Sequence, residues 1–270
     1  MYERLEGLSP RERAACLVAE RVLGARADAW DVDGRQGAVD GMLRLIDGRK
    51  AAFEVTTYAP EGAIGTDSVL GRSGNAWPAP GKWWWTIQVG SFRDIPELRK
   101  RYVRIAQLCE QEGVTRPQDL RYHGPKPPDS DVVWLVERSS SNMMGHPEVP
   151  ARDGDLVRDA MVTQVGRGGG VDHTFSGLRT ALADLFEDPN IVKHVAKLRR
   201  TAADEHHLYV AVHLQALSFA IADALMFGDS TPTGMPILPD GVTHIWLAPP
   251  LGPRVLLGCT EGWASHRYVE

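Results

Sequence analysis

No run of eighteen apolar residues occurs in this 270-residue chain, so no segment reads as a membrane-spanning helix. The N-terminus carries charge at Glu3, Glu6, Arg11 and Arg13 and lacks the apolar core of a signal peptide. A cytoplasmic location is the expectation. Cysteine is scarce: Cys16, Cys109 and Cys259 are odd in number and far apart, which excludes a disulfide framework and zinc-type spacing. They read as small buried apolar residues. Basic charge is not in excess. The formal net charge of −5 excludes a protein that coats nucleic acid with its whole surface, and leaves open a local basic cleft or a small-molecule substrate. Several catalytic signatures are missing too. There is no His-Glu-x-x-His, no Gly-x-Ser-x-Gly elbow, and the glycines at 168–170 lack the Lys-Ser/Thr ending of a phosphate loop. His206 and His207 are adjacent, so on a strand they point to opposite faces and do not read as a metal pair.

What is present is ordinary in bulk, 43% apolar and 24% charged, and distinctive at residues 39–57. Two apolar-rich segments flank Asp47-Gly48, the strongest short-range signal for a hairpin. Alternation along the second segment places Lys50, Ala52, Glu54 and Thr56 on one face, and Ala51, Phe53 and Val55 on the other. The hairpin brings the carboxylates of Asp40 and Glu54 towards one end of a sheet. Oxygen ligands of this kind suit hard divalent cations, so Asp40 and Glu54 are the candidate ligands for Mg2+ or Mn2+. The bland alternative is a structural hairpin with acids at its ends.

Upstream, Ser9, Pro10 and Glu12 form the start signal of a helix over 9–24, with apolar Ala14, Leu17, Val18 and Val22 and a stop at Gly24. Glu20 lies on that helix. A helix acid, a strand Asp and a Glu-x-Thr on the next strand resemble the PD-(D/E)xK nuclease superfamily, whose pattern ends in (Asp/Glu)-x-Lys. The likeness covers about residues 12–90. It implies a restriction-endonuclease-like core, metal bound by Asp40 and Glu54, assistance from Glu20, and a nucleic-acid substrate. Thr56 stands where the family has lysine. Lys50, on the same strand face as Glu54, is the candidate for the missing cation, with Thr56 bonding a metal-bound water.

The rest of the chain reads as an α/β domain. Residues 25–37 form a polar loop through Asp31, Asp33 and Gly34, and 58–82 a long loop rich in glycine and proline. Trp83–Ser91 is expected to be a central strand buried on both sides, with Gln88 beside Glu54. Residues 94–112 read as a helix whose first half is basic, 113–130 as a Pro-rich connector, and 131–137 as a short buried strand. Residues 138–172 show no clear element. Helices follow at 176–187 and from Pro189 to Ala203, the latter carrying Lys193, His194, Lys197, Arg199 and Arg200. A strand at 207–214, a helix at 215–227 and strands at 244–248 and 254–259 complete it, the last two joined through Pro249, Pro250, Leu251, Gly252 and Pro253. The basic helix before His206-His207 and a strand is loosely similar to nuclease-fold proteins of bacterial defence systems.

The expected architecture is a single α/β domain over 1–270, a mixed central sheet flanked by helices, with its core at about 9–137 and a helical and strand extension at 138–270. The expected activity is a Mg2+-dependent nuclease-like phosphodiesterase using Glu20, Asp40, Lys50, Glu54 and Thr56. Two alternatives stand beside it: an inactive binding or structural module on the same fold, and a metal-dependent enzyme acting on a small metabolite.

Overall fold

Ser9 begins the first helix as its sequence dictates. Its hydroxyl accepts from the Glu12 backbone N–H and Glu12 accepts from the Ser9 N–H, with Pro10 in the first turn. The computed structural model describes residues 3–31, 37–120, 129–166, 170–249 and 252–268. Asp33 and Gly34 of the expected polar loop, Pro125, Pro127 and Pro128 of the connector, Gly168 and Gly169, and Pro250 and Leu251 lie outside the described residues. The chain divides into two compact units, Met1–Ala59 with Arg167–Glu270, and Pro60–Gly166.

The first unit starts with α1 (Pro10–Leu23), β1 (Arg26–Ala29), β2 (Gly41–Arg44) and β3 (Lys50–Tyr58). β2 and β3 form the hairpin foreseen at Asp47-Gly48, with Arg44 opposite Lys50 and Gly48 at φ 87°, a value that favours glycine. The second unit follows as an insertion: α2 (Ala63–Gly71), β4 (Ala76–Trp77), β5 (Trp83–Val89), α3 (Ile95–Glu112), α4 (Pro117–Leu120), α5 (Ser130–Glu137), β6 (Asn142–Pro150), β7 (Arg152–Asp153), β8 (Leu156–Val157) and β9 (Ala160–Gln164). The chain then resumes the first unit with α6 (Leu178–Glu187), α7 (Pro189–Arg200), β10 (Glu205–Val212), α8 (Phe219–Phe227), β11 (His244–Ala248), β12 (Arg254–Cys259) and β13 (Gly262–Arg267).

The first unit is an α/β layer structure around a mixed sheet ordered β1-β2-β3-β10-β11-β12-β13. β3, β10 and β11 run parallel and the outer strands antiparallel. Alternation sorts β3 between two cores. Ala51, Phe53 and Val55 join Ala15, Cys16 and Ala19 of α1, with Tyr209 and Trp246. Ala52 joins Leu208 and Val210 beneath Leu182, Leu185, Ile191, Leu198 and Ile221 of α6, α7 and α8.

The second unit has its own sheet, ordered β4-β9-β5-β6, and its own core. Trp85, Ile87 and Val89 are fully buried against α3 and α5, while Trp83 and Trp84 are half-exposed. β5 is thus buried on one face and not on both, and Gln88 belongs to a different sheet from Glu54. Residues 131–137 are a helix and not the expected strand. Asp129 caps its first turn, and Val132 and Leu135 bury at helical spacing. Among the described residues of 138–172 there are four strands, hidden by prolines, glycines and partial exposure. Gly145 of β6 is required by contact: a Cβ there would lie 2.8 Å from the Trp85 ring. The loops expected at 25–37 and 58–82 hold β1, α2 and β4. Among the described residues no helix is long and apolar enough to cross a membrane.

Phe53 is fully buried with ring centroids 5.8 Å from Tyr209 and 6.3 Å from Trp246. Phe53→Ala should therefore cost about 3–5 kcal/mol in urea unfolding. Ile46→Ala, in the exposed turn at 83% accessibility, should change stability by less than about 0.5 kcal/mol.

Candidate functional site

Glu54 sits in the middle of the large sheet, fully buried, with Leu208 as its neighbour on β10. An ionised carboxylate there needs donors, and α7 supplies them. Asp188 caps that helix by accepting from the Asn190 and Ile191 N–H groups, and Pro189 fits its first turn. Ile191 and Leu198 face the core. Asn190, His194 and Lys197 form a polar stripe at i, i+4 and i+7. His194 Nδ1 lies 2.5 Å from Glu54 Oε1, and Lys197 Nζ lies 2.8 Å from the same oxygen. Asn190 Nδ2 donates to Thr56 Oγ1 at 3.3 Å.

Asp40 closes the other side. Its backbone N–H donates to Glu54 Oε2 at 3.1 Å, and its own Oδ2 accepts from the Val55 N–H at 2.7 Å. Burial, and then the like charge of Glu54, push the Asp40 pKa up to about 7, with Glu12 of α1 adding to the rise. Burial opposes the charged form of Lys197, but the Glu54 hydrogen bond and the charges of Glu54, Asp40 and Asp31 outweigh it and raise its pKa. Asp40 and Glu54 offer carboxylate oxygens of the kind hard divalent cations take, and these oxygens already face donors: Glu54 Oε1 the Lys197 ammonium and the His194 ring, Glu54 Oε2 the Asp40 N–H, and Asp40 Oδ2 the Val55 N–H. Gly41 lets α1 pack beside this corner, since a Cβ on it would meet Cys16 Sγ at 3.2 Å.

The structure thus brings Asp40, Glu54 and Thr56 together as the sequence suggests, and adds Lys197, His194 and Asn190. Lys50 is elsewhere. It is exposed at the start of β3, where its backbone N–H donates to Asp204, and the ammonium on Glu54 is that of Lys197. Glu20 pairs with Arg4 and accepts from the Ala27 N–H at 2.6 Å. Burial opposes its ionisation, but the Arg4 and Ala27 bonds hold its pKa below the ordinary value. The α1 carboxylate whose charge reaches Asp40 is Glu12. A sequence signal for α7 existed in the polar stripe beside Ile191 and Leu198, though nothing local ties that stripe to Glu54. A cavity of about 450 Å3 lined by Phe175, Arg179, Met235 and Trp263 shares none of these residues.

A second cluster lies on the opposite, α1-side face of the same sheet. Ligand-type atoms of Glu205, His207 and His244 fall within 4.8 Å of one another, close enough for a metal by distance alone. Their hydrogen bonds seat a proton instead. The Trp246 indole N–H donates to His207 Nδ1 at 3.1 Å, so the neutral ring carries its proton on Nε2 and donates it to Glu205 Oε2 at 2.7 Å. Metal-bound histidines have the reverse arrangement, donating through the second nitrogen. The His207 and His244 rings also stack, with centroids 4.1 Å apart and planes 24° apart, so their in-plane lone pairs do not converge. Burial lowers the pKa of both histidines, that of His244 to about 4, while the His207 hydrogen bond lowers that of Glu205 to about 2.

Comparison with protein families, with curated proteins and with solved structures found no match for this chain.

Two measurements test these electrostatics. Asp40 binds its proton more tightly folded than unfolded, so its charge costs stability increasingly as pH rises from 3.8 to about 7. Asp40→Asn should be more stable than the parent at pH 8, by about 2 kcal/mol or more, in denaturant titrations without metal. His244 has the opposite sign: the unfolded ring takes up a proton near 6.5 and the folded ring only near 4, so stability should fall as pH drops through that window. His244→Asn should flatten that fall by about 2 kcal/mol, and Zn2+ should leave the unfolding midpoint unchanged.

Proposed function

We propose that this chain is a Mg2+- or Mn2+-dependent nuclease-like phosphodiesterase acting on nucleic acid, built on the restriction-endonuclease-like plan. The observation that carries the reading is Lys197 Nζ at 2.8 Å from Glu54 Oε1, beside the buried Asp40. An Asp immediately before one strand, a Glu on the next and an ammonium at that Glu are the charges of the PD-(D/E)xK pattern. The difference is that the cation arrives from α7, while Thr56 holds the position two residues after the Glu and is bonded by Asn190. Asp40 and Glu54 would hold the divalent cation, which when bound would neutralise charge on a phosphoryl oxygen and lower the pKa of water.

The protein's own groups then have separate tasks. Lys197 pairs with Glu54 Oε1 and would bring a positive charge to the phosphate as it accumulates negative charge. Asn190 fixes Thr56, and through it the wall of the site. Glu12 adds negative field at Asp40, which favours cation uptake. Glu20 and Lys50 stand outside this arrangement: Glu20 ties α1 to Arg4 and β1, and Lys50 is a surface residue.

Calorimetric titration with Mn2+, together with cleavage assays on single-stranded DNA, double-stranded DNA and RNA, tests the reading. Wild type should take up metal and Asp40→Asn should not. Lys197→Ala should cut the cleavage rate by about a hundredfold or more, and Thr56→Lys in the Lys197→Ala background should restore part of it. Equal metal uptake by wild type and Asp40→Asn would falsify the proposal. Metal uptake without cleavage of any polynucleotide would move the reading to a small phosphodiester metabolite or to a non-catalytic module.

A further inference from the structure

We propose that the cavity at the start of α6 binds a small organic anion, a planar ring system carrying one acidic group. The cavity holds about 450 Å3, within the usual range of ligand sites. It shares no residue with the Asp40–Glu54 corner, so the proposal goes beyond the phosphodiesterase reading and does not rest on it. Its apolar wall includes Phe175, Met235, Ile237 and Trp263. Trp263 of β13 is half-buried, and its ring lies against Gly258 of β12, where a Cβ would come within 2.7 Å of it. Glycine at 258 leaves the room that the indole occupies. An aromatic wall of this kind suits a planar partner.

The sign of the ligand follows from the charges. The chain has 35 acidic residues against 30 basic ones, yet no described carboxylate lines this cavity and one guanidinium, that of Arg179, does. Arg179 is exposed in the first turn of α6 and makes no hydrogen bond or ion pair to another described residue. Asp172 and Asp223 are already engaged. Asp172 accepts from the Thr174 N–H and hydroxyl, and Asp223 lies 3.1 Å from His173 Nε2. A second cation, Arg254, is buried with its Cζ 5.7 Å from the Phe175 ring centroid. Its N–H groups go to the carbonyls of Ala224, Leu225 and Ser230, and Asp229 reaches it through charge without an ion pair. Guanidinium groups stay charged at ordinary pH, and their planar fork matches a carboxylate or a phosphate.

The backbone points to the same place. Phe175 sits at φ 61°, a region that a bulky side chain rarely adopts. Strain of this kind persists where the surroundings hold it, and it gathers at ligand clamps. The ring it delivers is 4% exposed and serves both the cavity wall and the Arg254 contact.

Calorimetry in the absence of metal tests the proposal. The probes are adenosine monophosphate and indoleacetate, each beside its uncharged counterpart, adenosine and tryptophol. At least one of the anions should bind with a Kd below about 1 mM. The one that does identifies the acidic group as phosphate or carboxylate. Its uncharged counterpart should bind at least about tenfold more weakly, and Arg179→Gln, a change at an exposed position, should weaken the anion by a similar factor. Asp40→Asn should bind the anion as the parent does. Absence of binding by both anions, equal binding of charged and uncharged forms, or undiminished binding by Arg179→Gln overturns the proposal. Loss of binding in Asp40→Asn places the anion at the carboxylate pair and overturns it as well. None of these outcomes touches the phosphodiesterase reading, which is decided by metal uptake and cleavage.

Discussion

A single carboxyl group, Glu54, is placed where water cannot reach it, and much of the first unit is arranged to tolerate that. Moving such a charge into a protein interior costs several kcal/mol unless charged and hydrogen-bonding partners replace its hydration. Three groups do so: the Asp40 backbone N–H from the hairpin, and His194 and Lys197 from α7. Each requires its own piece of architecture. The hairpin register sets Asp40 against Glu54, the parallel pairing of β3 with β10 opens the face that α7 covers, and the Asp188 cap sets the start of α7. Removing any one donor leaves the charge under-compensated, which is why these residues act as a unit.

The same sheet carries two glutamate–histidine pairs with opposite proton logic. On the α7 face, His194 donates through Nδ1 to Glu54 and keeps Nε2 open. On the α1 face, His207 accepts at Nδ1 from Trp246, donates through Nε2 to Glu205, and is sealed beneath the core. One ring is partly exposed; the other is fully buried with both nitrogens occupied. Proximity of ligand-type atoms does not distinguish such cases. The direction of each hydrogen bond and the angle between ring planes do.

The hairpin was legible in the sequence because two short-range rules agreed there, period-two alternation and an Asp-Gly turn. The first helix was legible from its capping box. The strand of three tryptophans was found, but its sheet was not, since pairing partners far along the chain leave no local trace. Residues 131–137 misled because an apolar run of that length suits either element, and Asp129 as a cap decided for the helix. Asp40 and Glu54 were visible through their place on the hairpin. Lys197 was not, because a side chain that replaces a motif residue from another element is tied to it only by the fold.

The insertion of residues 60–166 between β3 and its parallel neighbour β10 sets an order of events during synthesis. Emerging from the ribosome, the hairpin carries Glu54 long before the helix that neutralises it has been translated; His194 lies 140 positions later. The inserted unit is contiguous and has its own core, and units of that kind generally fold as they emerge. Long-range pairing of this kind is slow to form. Asp40 and Glu54 and the basic groups of α7 are therefore joined only late, and a nascent chain halted before that helix carries the buried carboxyl groups without the partners that compensate them.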